Sequence, residues 1–276
     1  MTGSAHPTLI TKVSSAGAVL QTDVLPVEEP LEIRLVMAEQ PNRIERSISV
    51  TMRTPGHDVE LAAGFLFTEG IVTSPNQIEK IDVGDEQTRS NVVTVILKPD
   101  VSVDLDRLQR NFYTTSSCGV CGKSSLDAIR IARKGIGGDN LRFPASMIHT
   151  LPHQLRSRQN VFDQTGGLHA SGLFDIHGNL TVLHEDVGRH NALDKVIGEK
   201  FLQNELTLSQ HILVVSGRTS FELVQKAAMA QIPIIVAVGA PSSLAAALAQ
   251  EMNITLLGFV RNEQFNIYAH ADRILI

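Results

Sequence analysis

The sequence predicts an α/β fold, with a parallel sheet covered by helices on both faces and a smaller β-rich portion ahead of it. From residue 212 onward, short and wholly apolar segments alternate with amphipathic ones, as parallel strands buried between crossover helices do. Ahead of residue 100, apolar residues alternate singly with polar ones, the mark of half-buried strands. At 276 residues the chain is long enough for about two domains, each with its own core.

In the first portion Leu31, Ile33 and Leu35 alternate with Glu32 and Arg34, and Ile48, Val50 and Met52 with Ser49 and Thr51. Pro41-Asn42-Arg43 turns the chain between these strands. After Thr54-Pro55-Gly56-His57-Asp58, a short helix places Leu61, Phe65 and Leu66 on one face and ends at Gly70. Asn91 to Leu97 reads as a further strand, stopped by Pro99. The polar stretch Asp104 to Gln109 leads into the second portion, which divides the chain into a β-rich domain over 1–112 and an α/β domain over 113–276.

In the second portion His177-Gly178-Asn179 lies between Leu173-Phe174 and Leu180-Val182 and predicts a hairpin. Strands are predicted at Ile212 to Val215, Ile232 to Val238 and Ile254 to Val260, with helices from Phe221 to Ala230 and up to Glu251. In such sheets ligands bind beyond the carboxyl ends of the strands. This singles out the loops Ser216 to Ser220, Gly239 to Ser243 and Arg261 to Gln264. Two of them open helices, whose free N–H groups suit phosphate, and Arg218 adds a cation there. Ser242 and Ser243 are read as helix caps.

The chain has two cysteines, Cys118 and Cys121, in Ser116-Ser117-Cys118-Gly119-Val120-Cys121-Gly122-Lys123. A helix is predicted from Ser124 to Ala132. Its N-terminus and Lys123 would lower the thiol pKa and favour the reactive thiolate. Four readings fit the pair. A structural zinc site would need further ligands, with His169 one candidate. A thioredoxin-like site would follow an early strand, whereas Asn111-Phe112-Tyr113-Thr114-Thr115 is short and polar. Sulfur transfer through a persulfide and two idle thiols complete the set.

The formal net charge of −5 argues against nucleic acid as the main partner, and no Trp with only 2 Tyr argues against a base-stacking platform. Ile232 to Val238 is too short to span a bilayer, and Met1 to Pro7 lacks the start of a signal peptide. A soluble cytoplasmic protein without membrane contact is expected.

Further blocks are Arg53-Thr54-Pro55-Gly56-His57-Asp58-Val59-Glu60-Leu61, Thr165-Gly166-Gly167-Leu168-His169-Ala170, Glu185-Asp186-Val187-Gly188-Arg189-His190-Asn191-Ala192-Leu193-Asp194-Lys195, Ser216-Gly217-Arg218 and Gly258-Phe259-Val260-Arg261. With the cysteine motif, they make the chain from about Leu31 onward resemble the formate dehydrogenase accessory sulfurtransferase family. The resemblance implies a cytidine-deaminase-like layered sheet for the second domain. It also implies a sulfurtransferase, or sulfur carrier, that accepts persulfide sulfur from a cysteine desulfurase. That sulfur passes to the molybdenum bis(molybdopterin guanine dinucleotide) cofactor, held as a bound substrate, before the cofactor enters formate dehydrogenase. Cys118 would carry the persulfide and Cys121 would play the secondary part. Phe259, Val260, Arg261, Asn262, Glu263 and Gln264 would form the cofactor loop, and no resident metal is implied.

Many members carry glycine where this chain has Asn262, a residue that also tolerates positive φ. Glu263 would be unwelcome beside phosphate but could accept from a guanine edge. Deamination is excluded, because His169-Ala170-Ser171 lacks the catalytic glutamate. A homodimer is expected for a carrier of this size. The alternative is a non-catalytic maturation chaperone that binds the molybdenum cofactor and uses its cysteines as metal ligands or a redox lock. Within Glu185 to Lys195 two readings stand. Either Asp186 caps a helix while Asp194 and Lys195 form a solvated face, or Arg189 and His190 contact cofactor phosphates while Glu185 or His190 shuttles protons. No catalytic role is assigned to His57 or His169.

Overall fold

Alternating side chains build the N-terminal part of the structure, a computed structural model that describes residues 3–39, 42–84, 91–103, 140–205, 207–261 and 263–276. Strands β1 (Ala5–Ser14) and β2 (Gly17–Pro26) form an antiparallel ribbon. Strands β3 (Glu29–Glu39), β4 (Asn42–Arg53), β5 (Ile78–Val83) and β6 (Val92–Leu97) form a sheet in the order β4-β3-β6-β5. Leu31, Ile33 and Leu35 are buried on its inner face, as their period of two requires. Helix α1 (Asp58–Thr68) follows β4 and ends beside Gly70 at φ 70°, the left-handed residue that stops it.

The second part begins with β7 (Phe143–Pro144), α2 (Ala145–Arg156) and α3 (Asn160–Thr165). Next come β8 (His169–Asp175), β9 (Leu180–Asp186), α4 (Arg189–Leu202), β10 (His211–Val215) and α5 (Phe221–Met229). The chain closes with β11 (Ile234–Ala237), α6 (Ser243–Glu251), β12 (Thr255–Arg261), β13 (Gln264–Ala269) and β14 (Ile274–Leu275), which pairs with β7. The main sheet has the order β13-β12-β11-β10-β8-β9.

This sheet is mixed rather than wholly parallel. Only β10, β11 and β12 run parallel, because short connections turn β8 into β9 and β12 into β13 as antiparallel hairpins. At the first turn the Asp175 carboxylate accepts from the amides of His177 and Asn179, at 2.8 and 2.9 Å. Helices do cover both faces. Leu213, Val215, Ile235 and Ala237 point into the core shared with α4, α5 and α6, while Ile212, Val214, Ile234 and Val236 point toward α2. Among the described residues no helix is long and apolar enough to cross a membrane.

One continuous core runs from Leu31 and Leu35 through α1 and α4 to Leu213 and Ile235, joining the two parts. The helices α1 and α4 meet at glycines. A Cβ on Gly198 would lie 1.9 Å from the Glu60 carbonyl oxygen, and one on Gly64 would lie 1.9 Å from that of Asp194. The expected boundary at 112/113 and the linker Asp104 to Gln109 lie outside the described residues.

The same packing corrects the reading of Asp194 and Lys195 as a solvated face. Helix α4 lies between α1 and strands β8 and β9, so both side chains are buried. Asp194 accepts from Thr68 Oγ1 at 2.9 Å and pairs with Lys226 at 3.0 Å. Burial alone would lower the Lys226 pKa, but the carboxylates of Asp194 and Glu69 outweigh it and hold the ammonium above its ordinary value.

Candidate functional site

The parallel strands deliver three loops to one end of the sheet, and backbone bonds tie them into one surface. Gly239 N donates to Gly217 O at 3.1 Å, Thr219 N to Ala240 O at 3.1 Å, Ser242 N to Thr219 O at 3.0 Å and Phe259 N to Gly239 O at 3.1 Å. Gly239 permits this, since a Cβ there would sit 2.9 Å from both Arg218 N and Gly217 O. In the third loop a β-bulge between Gly258 and Arg261 puts Phe259 at φ 55°, and Glu263 stands at φ 60°. Ser242 caps α6, as expected, with its hydroxyl accepting from Ala245 N at 3.1 Å.

Beside these loops lies a cavity of about 640 Å³, within the size range of small-molecule sites. Leu155, Phe162, Leu168, Val238 and Val260 give it apolar walls, and His149, His169, Ser216 and Arg261 add polar groups. Of the six residues expected to hold the cofactor, Val260 and Arg261 line this cavity. Phe259, Glu263 and Gln264 are exposed nearby, while Asn262 lies outside the described residues. Cys118, Cys121 and the helix expected at Ser124 to Ala132 also lie outside them.

His169 occupies the start of β8, where a Cβ on Gly217 would come within 3.1 Å of its Nδ1. Burial, then the charges of Arg189, Arg218 and His190, lower its pKa below the ordinary imidazole value and favour the neutral ring. His190 Nε2 lies 2.7 Å from the Glu222 carboxylate and 3.1 Å from Ser220 Oγ. Among the described residues no cluster of His, Cys, Asp and Glu could hold a metal ion.

A buried polar lock sets the start of α4 at the edge of this region. Asp186, 0 % exposed, pairs with Lys195 Nζ at 2.7 Å and accepts from Thr54 N, Gly188 N and Asn191 Nδ2. Lys195 also donates to Thr54 O at 2.9 Å, and Val187 N to Thr54 Oγ1 at 3.1 Å. Removing one partner of such a pair costs about 3–5 kcal/mol, because the other charge stays buried. Asp186 is therefore not the cap residue expected. Gly188 holds that position, and Asp186 binds its amide from two residues upstream. Arg53 anchors the other side through a bidentate pair with Asp58, at 2.9 and 3.0 Å.

The back wall of the cavity, from α2 and α3, was not assigned from sequence. The spacing of Ile148, Leu151 and Leu155 carries the helical signal, but Pro152 interrupts it.

Residues 26–275 match the FdhD/NarQ family. The chain belongs to the FdhD/NarQ family. It is 48% identical over 271 residues to the sulfur carrier protein FdhD of Mycolicibacterium paratuberculosis, covering 96% of this chain and 97% of that one. It is 45% identical over 274 residues to the sulfur carrier protein FdhD of Streptomyces coelicolor, with 97% and 94% covered. A solved structure from Desulfotalea psychrophila, described as that of a formate dehydrogenase accessory protein, superposes with a TM-score of 0.76. It shares 26% identity and covers 99% of this chain and 100% of that one.

In this FdhD/NarQ chain the sequence blocks divide between two tasks. Arg53 to Asp58 and Glu185 to Lys195 build the buried lock. Thr165 to Ala170, Ser216 to Arg218 and Gly258 to Arg261 surround the cavity.

Proposed function

We propose that the chain is a sulfur carrier serving formate dehydrogenase maturation, taking sulfur from a cysteine desulfurase and giving it to a molybdenum bis(molybdopterin guanine dinucleotide) cofactor. The single observation that carries the ligand half is the cavity at the carboxyl ends of β10, β11 and β12, with Arg261 in its wall. The names of the relatives and the Cys118/Cys121 pair support the sulfur half. The order β9-β8-β10-β11-β12, an antiparallel pair followed by three parallel strands, supports the cytidine-deaminase-like reading of the main sheet.

The chemistry begins with the Cys118 thiolate attacking the outer sulfur of the desulfurase persulfide. A new S–S bond forms on Cys118, the donor's S–S bond breaks, and the donor cysteine leaves as thiolate. Attack by the Cys121 thiolate on the inner sulfur then releases hydrosulfide and leaves a Cys118–Cys121 disulfide, which a thiol reductant reopens. Arg261 and the apolar walls hold the cofactor's nucleotide end while sulfur is delivered. Mass spectrometry after incubation with a desulfurase and cysteine tests the assignment. One added sulfur is expected on Cys121→Ala and none on Cys118→Ala. The reverse pattern would exchange the two roles and defeat the proposal.

The quaternary state we assign is a homodimer through the N-terminal ribbon. Its register puts Leu9, Thr11, Val13, Ala18, Leu20 and Thr22 on one face, with Leu9 69% and Val13 75% exposed. A two-stranded ribbon is marginal on its own. This face carries no charge, so a two-fold axis would bring the same surface of a second copy against it without repulsion. Sedimentation equilibrium is expected to give a dimer for the wild type and a folded monomer for Leu9→Lys/Leu20→Lys. A monomeric wild type, or an unaltered dimer in the variant, would contradict it.

A further inference from the structure

The starts of α4 and α5 meet beside the cavity, and their surroundings are rich in unmatched positive charge. His190, in the first turn of α4, touches Ser220, the cap residue of α5, at 3.1 Å. Ser220 is thereby diverted from capping, and α5 has no side-chain cap. Helix α4 begins at Gly188, which has no side chain to cap it. Both helix starts therefore direct uncapped N–H groups and the positive dipole end toward one region.

Among the described residues three side chains there leave a polar atom or a charge unmatched. Arg189 Nε is buried without a hydrogen bond. Thr219 is 1% exposed, yet its Oγ1 is also unsatisfied. Arg218 is solvent-accessible and, among the described residues, forms no ion pair. Buried donors in folded proteins are nearly always paired, so the Arg189 guanidinium nitrogen among cations is a donor available to an anion. The carboxylates in the vicinity are already engaged. Glu222 faces His190 at 2.7 Å, and Asp186 is bound by Lys195 at 2.7 Å. His169 stands between this cluster and the cavity, bordering Gly217 on one side and the cavity on the other.

We infer that Arg189, Arg218, Thr219 and the starts of α4 and α5 form a phosphoryl-binding site, separate in sequence from the Phe259 to Gln264 loop, that takes a pyrophosphate group. The inference deepens the cofactor reading given above and rests on it for the biological ligand. It assigns the pyrophosphate of a guanine dinucleotide arm to the Arg189 end of the site, and a guanidinium pair suits such a group because its forks match phosphate oxygens.

Isothermal titration of the full chain with inorganic pyrophosphate, GDP and guanosine tests it. Pyrophosphate and GDP are expected to bind and guanosine to bind far more weakly. Arg189→Gln/Arg218→Gln should weaken pyrophosphate roughly 10- to 100-fold, the loss of charge-assisted hydrogen bonds. Arg46→Gln, which removes a charge from exposed β4, should match the wild type. Thermal melts confirm folding, and Arg218→Lys, which keeps the charge, should bind more tightly than Arg218→Gln. No pyrophosphate binding to the wild type, equal binding by the double variant, or equal losses in Arg46→Gln would overturn the site. A chain that fails to gain sulfur on Cys118 yet binds pyrophosphate through these arginines would refute the carrier reading and leave this site standing.

Discussion

Gly198→Ala is expected to destabilise the protein by about 3 kcal/mol or more, at the upper end of overpacking costs. The sign makes this a sharp test. In an exposed helix interior, alanine is favoured over glycine by about 1 kcal/mol, so a surface position would gain stability. Here the new methyl would meet backbone at 1.9 Å from Glu60 O and 2.7 Å from Gly64 N. Backbone cannot rotate away as a side chain end can, so α1 and α4 must separate. Their separation opens the core between Leu61, Leu66, Leu193 and Ile197 and loosens the helix whose first residues are Arg189 and His190. Against a typical stability of about 5–15 kcal/mol, such a loss is large. Urea denaturation of wild type and variant measures it. Equal or greater stability in the variant would show that the crossing is looser than these contacts require.

This crossing also shows how much of the molecule could be read from sequence. Ile212 to Val215, Ile234 to Ala237 and Thr255 to Arg261 announced themselves because strands covered on both faces are continuously apolar. Helix α4 did not. Its buried positions include Asn191, Asp194, Lys195 and Gly198, which resemble a surface helix until their partners on α1, β9 and the Thr54 segment are known. The ribbon from Ala5 to Pro26 was missed for the opposite reason. Leu9, Val13 and Leu20 alternate as strand residues should, but no core among the described residues receives them.

The candidate site was legible in outline. Parallel strands place their following loops at one end, so Ser216 to Ser220, Gly239 to Ser243 and Arg261 to Gln264 fell together. The cavity's far wall and the convergence of α4 with α5 depend on long-range packing, which no local pattern encodes. The convergence becomes visible only through the contact between His190 and Ser220.

Replacing Cys118 with serine tests the central claim most directly, because a hydroxyl keeps nearly the same side-chain shape but cannot carry a sulfane sulfur. In cells whose own copy is deleted, the Cys118→Ser protein should accumulate normally, bind GDP like the wild type and restore no formate oxidation. Formate oxidation restored to the wild-type level by that serine variant would contradict the account.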